Sequence, residues 1–394
     1  MSTSYETINP FTTSDEHQAF RATVRDFIAR ETTREMDREL DATGEFPYEL
    51  AKKMAEAGFY GIPFPAEYGG QDGSALEFAI LCDELAYGSE SAAACFLMPV
   101  FFAGEMVLLN GSEEQKREYL PRIIAGDLRG CFALTEPDAG SDAAAITTKA
   151  ELDGDEFVLN GHKTLISGVD IADVIMCVCR TGPREPKPYS NMTILMVDRR
   201  APGVEFRKIE KVGSRAVGLF EIFFDGVRVP KERTIGGYPE GVGSGWAHMW
   251  MSLDMERIMV ATLYSAIARK AFDDALEHAK NREQFGQPIG RFQAIQHQLA
   301  NMKIKVDAAG LMAYRAAWLK DEGLPCSMEG AEAKTFATET ALQVCLDGMQ
   351  VLGGWGYTME YDMQRYARAA MLGPIGMGTN HIQKTIVAKL LGLF

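Results

Sequence analysis

Glu256 is the residue in this chain whose type and spacing best suit moving a proton. It follows Trp246, Met249 and Leu253 by ten, seven and three residues, so at helical period it shares a stripe with large apolar side chains. A carboxylate starved of water has its charged form disfavoured. Its pKa then climbs from about 4.3 toward the ~6 to 7 that suits a general base. The same residue is an ordinary ion-pair partner if adjacent Arg257, or a cation from elsewhere, takes it up. A second set of candidates sits at glycine turns ahead of apolar helical runs: Gly353, Gly354 and Gly356 in VLGGWGY, and Gly376 and Gly378 in GPIGMGTN. Backbone amides at such junctions can hold a pyrophosphate, although a plain turn uses the same residues.

The elements that must position these groups fall into three blocks. From Ser14 to about Arg129 apolar residues recur at three and four, as in AFRATVRDFIARE and ALEFAILCDELAYG, with Gly and Pro stops between runs. After Gly130 the period becomes two, in FVLNGHKTLIS, VIMCVCR, MTILMVD, GVEFRKI and LFEIFFDGVRV. From Trp246 helical spacing returns, and the first run reaches about Asn281 with neither Pro nor Gly inside it. We therefore expect an α+β chain: an N-terminal α-helical domain over 1–128, a middle antiparallel β-barrel or sandwich domain over 129–236, and a C-terminal four-helix-bundle domain over 237–394. Strand and helix do not alternate, which argues against a doubly wound nucleotide-binding fold. Gly241, Gly243 and Gly245 precede a helix but follow a loop, so the dinucleotide fingerprint lacks its strand.

Composition narrows the partners. A formal charge of -15 opposes nucleic acid or an anionic membrane as a binding surface. The apolar stretch Ala92 to Leu109 is interrupted by Pro99 and Glu105 and falls short of the ~20 residues of a bilayer span, so we read it as buried core. The N-terminal MSTSYETINPFTTSDEHQ has neither a secretory nor a transit pattern, and a cytoplasmic protein is expected. The seven cysteines form no paired CxxC elements and the six histidines no HExxH pair, so reduced thiols and no metal are expected.

Where the helical block meets the β block stands CFALTEPDAGSD, Cys131 to Asp142. Here the chain resembles the acyl-CoA dehydrogenase family, flavoenzymes that oxidise the α,β bond of acyl-CoA thioesters. The resemblance continues through NGHKTLIS, VGSRAVGLFEIFFDGVRVP, NREQFGQPI, FQAIQ, QVLGGWGYTMEY and GTNHIQ, and covers nearly the whole chain. It implies FAD, an acyl-CoA substrate, a homo-oligomer built as a dimer of dimers, and an electron-transfer flavoprotein or similar acceptor. It also implies that Phe132, Leu134 and Thr135 line the flavin, and that Ser141 lies where flavin site and thioester meet. Leu165 and Ser167 stand where relatives carry a tryptophan and a threonine beside the flavin. Arg282, Phe285, Gln293, Gln350 and Gly354 match residues that reach the FAD of a neighbouring subunit. An arginine fork suits a pyrophosphate through paired charge-assisted bonds. Thr379 and His381 match positions near the cofactor, with His381 departing from the usual Glu or Gln. Asp254 and Arg257 are implied near the CoA pantetheine, and Met98, Phe101 and Phe102 at the border of the acyl pocket.

The resemblance also bears on the base. Most relatives carry the proton-abstracting glutamate in a string like YEGT, and the aligned residues here are Gly376, Met377, Gly378 and Thr379. Methionine accepts no proton, and the resemblance implies that the Met377 position keeps a role through its backbone N–H, a donor to the thioester oxygen. Isovaleryl and long-chain members place the acid instead in strings like LDLER, and this chain has Leu253, Asp254, Met255, Glu256 and Arg257 there. The expected reaction is α-proton abstraction by Glu256 with β-hydride transfer to flavin, giving the trans-2-enoyl-CoA. Alternatives within the fold are a flavin monooxygenase or oxidase, an enoyl-CoA reductase, or a non-catalytic subunit of a heteromeric dehydrogenase. Acyl carrier protein could replace CoA.

Overall fold

A computed structural model gives the structure over residues 14–393, so most of the N-terminal stretch read for targeting signals lies outside the described residues. The first block runs through α1 (Asp15–Glu31), α2 (Arg34–Thr43), α3 (Tyr48–Glu56), α4 (Ala75–Gly88), α5 (Glu90–Pro99), α6 (Met106–Asn110) and α7 (Glu113–Ile124). Side-chain caps set the starts. Ser14, Ser74 and Ser112 each accept a backbone N–H of the turn that follows, and Glu77 and Gln115 return a bond to the last two serines. The N-terminus of α4 has a second acceptor from far along the chain, since the Asp321 carboxylate takes Ala75 N–H at 2.6 Å and Leu76 N–H at 2.9 Å. α5 and α6 are joined by a wider π-helical turn, Val100–Glu105, into one helical run. Glu90–Asn110 is long and apolar enough to cross a membrane, but 67% of its most apolar window is buried inside the protein.

The middle block is one sheet of β1 (Gly130–Ala133), β2 (Lys149–Asp153), β3 (Glu156–Ser167), β4 (Val174–Arg180), β5 (Met192–Asp198), β6 (Val204–Ile209) and β7 (Leu219–Pro230). Its order is β1-β4-β2-β3-β7-β6, with β5 on β4. Pairing is antiparallel at β2–β3, β3–β7, β6–β7 and β4–β5. β1 and β2 pair with β4 in parallel, so the sheet is mixed rather than antiparallel throughout. The chain between β1 and β4, which includes the β2–β3 hairpin, is long enough for the crossover a parallel pair requires. Every residue of β4 is buried, which is why VIMCVCR reads as a continuous apolar run.

α8 (Gly245–Asn281) is 37 residues and ~55 Å long. Gly245 starts it hard against the sheet, where a Cβ would lie 2.9 Å from the Met192 carbonyl. A small hairpin, β8 (Glu283–Gln284) and β9 (Gln287–Pro288), turns the chain into α9 (Gln293–Asp321), α10 (Ser327–Leu352), α11 (Met363–Ala370) and α12 (Asn380–Leu390). α8, α9 and α10 pack on one another, α12 lies on α10, and α4 of the first block packs on α8. That last contact is ionic as well as apolar: Asp83 and Glu84 of α4 meet Arg21 of α1 and Arg269 of α8.

Candidate active site

Glu256 lies on α8 where the N-terminal block, the bundle and the loop before α12 converge. Its stripe neighbours behave as the periodicity predicts: Met249 is buried, and Trp246 and Leu253 are half-buried. Loss of water pushes its pKa up to about 7, while Arg257 and Lys334 pull less strongly the other way. It nevertheless retains some accessible surface, as a recessed group open on one side does. Arg257, the obvious ion-pair partner, is engaged elsewhere. It is buried, with Nη1 2.9 Å from Asp254 Oδ1 and Nε 3.1 Å from Gln383 Oε1. Asp254 in turn accepts the Ser327 hydroxyl at 2.8 Å.

The loop carrying Met377 is held by a lysine that the sequence reading missed. Lys334 of α10 is fully buried and donates to Gly373 O at 2.9 Å, Gly378 O at 2.9 Å and Asn380 Oδ1 at 3.0 Å. Gln383 adds a bond to Gly378 O at 3.2 Å. Gly378 O therefore joins two chains of contacts, one from Lys334 and one from Arg257 through Gln383. Burial pushes Lys334 down to about 8, with Glu256 and Glu339 opposing the shift. Met377 is half-buried with φ of 49°, a conformation that side-chain-bearing residues adopt rarely. Lys334 gave a weak sequence signal: Ala331, Ala337 and Thr338, three or four residues away, mark its face of α10 as buried. Thr379 caps α12, accepting Ile382 N–H at 3.3 Å, and His381 points into an exposed position.

A second surface is built on β1 and β3. Phe132, Leu134, Thr135 and Ser167 are half-buried, and Thr164 N–H bonds Thr135 O at 2.9 Å. Lys163 is buried beneath them, donating to Leu134 O and to Glu136 Oε1, both at 2.8 Å. Glu136 also accepts Thr147 N–H at 2.6 Å, the Thr147 hydroxyl at 2.8 Å and Thr148 N–H at 2.9 Å. Burial opposes its ionisation, but Lys163 and these donors hold it down to about 2. Leu165 lies at a bulge between Lys163 and Ile166, with φ of 58°, and is 56% exposed. Ser141 is exposed on the turn after β1. Met98 packs into this region from α5: Gly168, at φ of 71°, leaves room that a Cβ would take from Met98 Cε. Phe101 is buried and Phe102 half-buried on the π turn that follows.

The remaining candidates lie elsewhere. Arg282, Phe285 and Gln293 are exposed around the β8–β9 hairpin, and Gln350 and Gly354 are exposed at the end of α10. Phe285 is 93% exposed with φ of 54°. Leu165, Met377 and Phe285, three of the residues implied in cofactor or substrate handling, thus share a strained backbone region.

The order of helical block, sheet and helical bundle is that of a known class of oxidoreductase. Three models match the chain in order: "Acyl-CoA dehydrogenase, N-terminal domain" over residues 14–127, "middle domain" over 131–227 and "C-terminal domain" over 243–392. The chain belongs to the acyl-CoA dehydrogenase family. It is 38% identical over 382 residues to a probable acyl-CoA dehydrogenase, YngJ, of Bacillus subtilis, covering 97% of this chain and 99% of that protein. It is 36% identical to the caffeyl-CoA reductase-Etf complex subunit CarC of Acetobacterium woodii, covering 96% of this chain and 98% of that one. Among solved structures, a glutaryl-coenzyme A dehydrogenase in complex with glutaryl-CoA superposes with a TM-score of 0.92 at 34% identity, covering 98% of both chains.

Proposed function

We propose that this enzyme interconverts an acyl-CoA thioester and its trans-2-enoyl-CoA with FAD, and that Glu256 is the acid–base residue. The observation that carries the reading is a carboxyl group pushed to about 7, with no side chain bonded to it among the described residues, lying near the lysine that fixes the Met377 loop. Glu256 takes the α-proton of the thioester. The Met377 N–H donates to the thioester oxygen, stabilising negative charge as it develops there. Lys334 and Gln383 act on Met377 by fixing Gly378, so that the amide is aligned before substrate arrives. FAD, when bound, supplies the hydride acceptor.

The residues fit that cofactor. The surface of Phe132, Leu134, Thr135 and Ser167 offers an apolar face, hydroxyl groups and strand backbone to a flat heterocycle, and Leu165 stands out beside it. Arg282, Phe285, Gln293, Gln350 and Gly354 are exposed around the β8–β9 hairpin and the end of α10. We assign them to the FAD of a second copy, which supports a homo-oligomer. Exposed Phe285, Tyr357 and Met359 on that end are the apolar surface such a contact covers.

Glu256→Gln in the FAD-loaded protein is the decisive experiment. Flavin content should be retained while anaerobic bleaching by acyl-CoA falls by about 10²- to 10⁴-fold. Bleaching near the wild-type rate would remove Glu256 from the chemistry. The same variant addresses the non-catalytic alternative, because a silent subunit shows no substrate-dependent bleaching to lose. A second direction is supported by the reductase relative and by the acid itself: a group titrating near 7 is as ready to donate as to accept a proton at neutral pH. Reoxidation of the reduced flavin by an enoyl-CoA, measured against reoxidation by an electron-transfer flavoprotein, ranks the two directions.

A further inference from the structure

α8 changes character at Glu256. From Arg257 to Ala266 every residue is buried, whereas the turns before the acid carry the exposed Ala247, Trp250 and Met251. A substrate whose carbonyl reaches Glu256 therefore has its hydrophilic part directed toward the N-terminal turns of the helix, because the middle turns are closed on all sides. Those first turns hold an aromatic group. Tyr189, in the loop between β4 and β5, lies face to face with Trp246 at 5.1 Å between ring centroids and 16° between planes, and Trp250 meets Trp246 at 6.2 Å and 64°. The inner stack packs the loop onto the start of α8. Trp250 adds only an angled contact to it and is 47% exposed, more than any other tryptophan in the chain, with Met251 exposed beside it. It lies six residues before Glu256, ~9 Å along the helix axis. The loop of Tyr189 also carries Arg184 and Lys187, both exposed, against Glu185. Arg184 is anchored on Ala145 O and Ile146 O, and Lys187 Nζ stands 5.6 Å from the Tyr189 ring centroid. In a chain with a formal charge of -15, an anionic ligand has to be met by local cations such as these.

A half-exposed indole beside a cationic loop suits a flat heterocycle that carries phosphates, since the ring offers a stacking face and the loop offers charge. Coenzyme A ends in such a group, an adenine nucleotide, and its pantetheine arm is long enough to span the two helical turns between Glu256 and Trp250. We propose that Trp250, backed by Trp246 and Tyr189, is the stacking platform for the adenine of the thioester's carrier, with Lys187 and Arg184 supplying charge for its phosphates. The contact makes the enzyme prefer thioesters of coenzyme A to those of an acyl carrier protein. A carrier protein presents the same arm without a purine and leaves Trp250 uncovered. A second copy of this chain is the competing occupant, but an apolar contact between copies gains nothing from the exposed cations of the loop. This inference rests on the proposal that the site works on acyl thioesters, and deepens it by naming the carrier.

The test compares carriers on the FAD-loaded enzyme. One acyl group, the one that bleaches wild-type flavin fastest, is presented on coenzyme A and on pantetheine, and binding of each is titrated by flavin difference spectra in wild type, Trp250→Ala and Trp250→Phe. The wild type should bind the coenzyme A thioester about tenfold or more tighter than the pantetheine thioester. Trp250→Phe, which keeps a ring, should retain most of that ratio, and Trp250→Ala should lower it by about fivefold or more. Equal binding of the two thioesters by the wild type, or an unchanged ratio in Trp250→Ala, overturns the inference. Adenosine 3′,5′-bisphosphate gives a direct reading. It should quench the tryptophan fluorescence of the wild type in competition with acyl-CoA, and the quench should be largely lost in Trp250→Ala. A wild type that is not quenched, or a quench undiminished in Trp250→Ala, overturns the assignment. So does a Trp250→Ala protein that falls to a smaller oligomer with its affinity ratio intact, since Trp250 would then belong to a contact between copies. Failure of the parent proposal looks different, because then neither thioester perturbs the flavin of any of the three proteins.

Discussion

Two carboxylates withdrawn from water in this chain are driven in opposite directions. Glu136, beneath the β1–β3 surface, receives Lys163, the Thr147 hydroxyl and two backbone N–H groups, and stays ionised down to about 2. Glu256, on α8, receives no side-chain donor among the described residues and rises to about 7. Each has a buried lysine in its neighbourhood, so the presence of a cation does not explain the difference. What differs is where the lysine's hydrogen bonds go. Lys163 bonds its acid directly, whereas Lys334 bonds two carbonyls and an amide oxygen of the Met377 loop. A satisfied carboxylate fastens a turn. One left without donors keeps a proton affinity useful near neutrality.

The largest separation between the two should come from isosteric amides. Glu136→Gln removes the charge opposite fully buried Lys163 and should destabilise the protein by about 3 to 5 kcal/mol in chemical denaturation. Glu256→Gln should not lower stability, and near neutral pH should raise it because the amide has no charge to bury, while removing about 10²- to 10⁴-fold of the rate. If both variants lost stability equally, the distinction between a structural and a reactive acid would collapse.

Next in size is the lysine that holds the loop. Lys334→Met leaves Gly373 O and Gly378 O without their ammonium donor and should slow flavin reduction by about tenfold to a hundredfold. It also removes one of the two charges that lower the pKa of Glu256, so the acid limb of the rate profile should move to higher pH. A slower enzyme with an unmoved acid limb would mean that Lys334 steadies the loop without acting on the base.

The pH dependence sharpens the same contrast. Oxidation of acyl-CoA should rise through about pH 7 as Glu256 ionises and fall again above about pH 8 as Lys334 loses its proton, with the two apparent values belonging to the coupled pair. The stability contributions run opposite ways. Glu136 has a lowered folded pKa, so its contribution is present above the unfolded value of about 4.3 and is lost as pH falls toward about 2. Glu256 has a raised one. The folded state holds a proton that the unfolded chain has released, and its contribution shrinks as pH rises from about 4.3 to about 7. Melting temperatures of wild type and both glutamine variants across pH 2 to 8 should therefore diverge at opposite ends of the range.

How legible these features were in the sequence depended on how local their causes are. The stripe of Trp246, Met249, Leu253 and Glu256 is a helical pattern within eleven residues, and its desolvation could be anticipated. Whether Arg257 would neutralise it could not, because Gln383, which shares that guanidinium with Asp254, lies 126 residues away. Lys334 in GAEAKTFATETA resembles a surface lysine until α12 closes over it. Glu105 was in plain view, yet from sequence it counted only as an interruption of an apolar run, since a buried carboxyl without a hydrogen-bond partner among the described residues is recognisable only once its surroundings are known. The helix–sheet–helix order followed from periodicity, whereas the parallel pairing of β1 with β4 depends on long-range contacts that period two does not encode. The residues on the outer bundle came from motif resemblance alone, because exposed side chains leave no apolar periodicity to read.

The smallest effect belongs to Leu165. An aliphatic side chain at φ of 58° is strained, and this one is more than half exposed, so little packing offsets the strain. Glycine adopts that conformation freely but loses more chain entropy on folding, and the two terms partly cancel. Leu165→Gly should therefore stabilise the protein by no more than about 1 kcal/mol in denaturant titration. Its effect on the flavin should be more informative than its effect on stability. If Leu165 screens one edge of the ring, the glycine variant should reoxidise faster in air while its anaerobic reduction by acyl-CoA is unchanged. If both rates stay at wild type, the strained leucine belongs to the bulge of β3 and not to the cofactor, and the strain shared by Leu165, Met377 and Phe285 would not mark a common site.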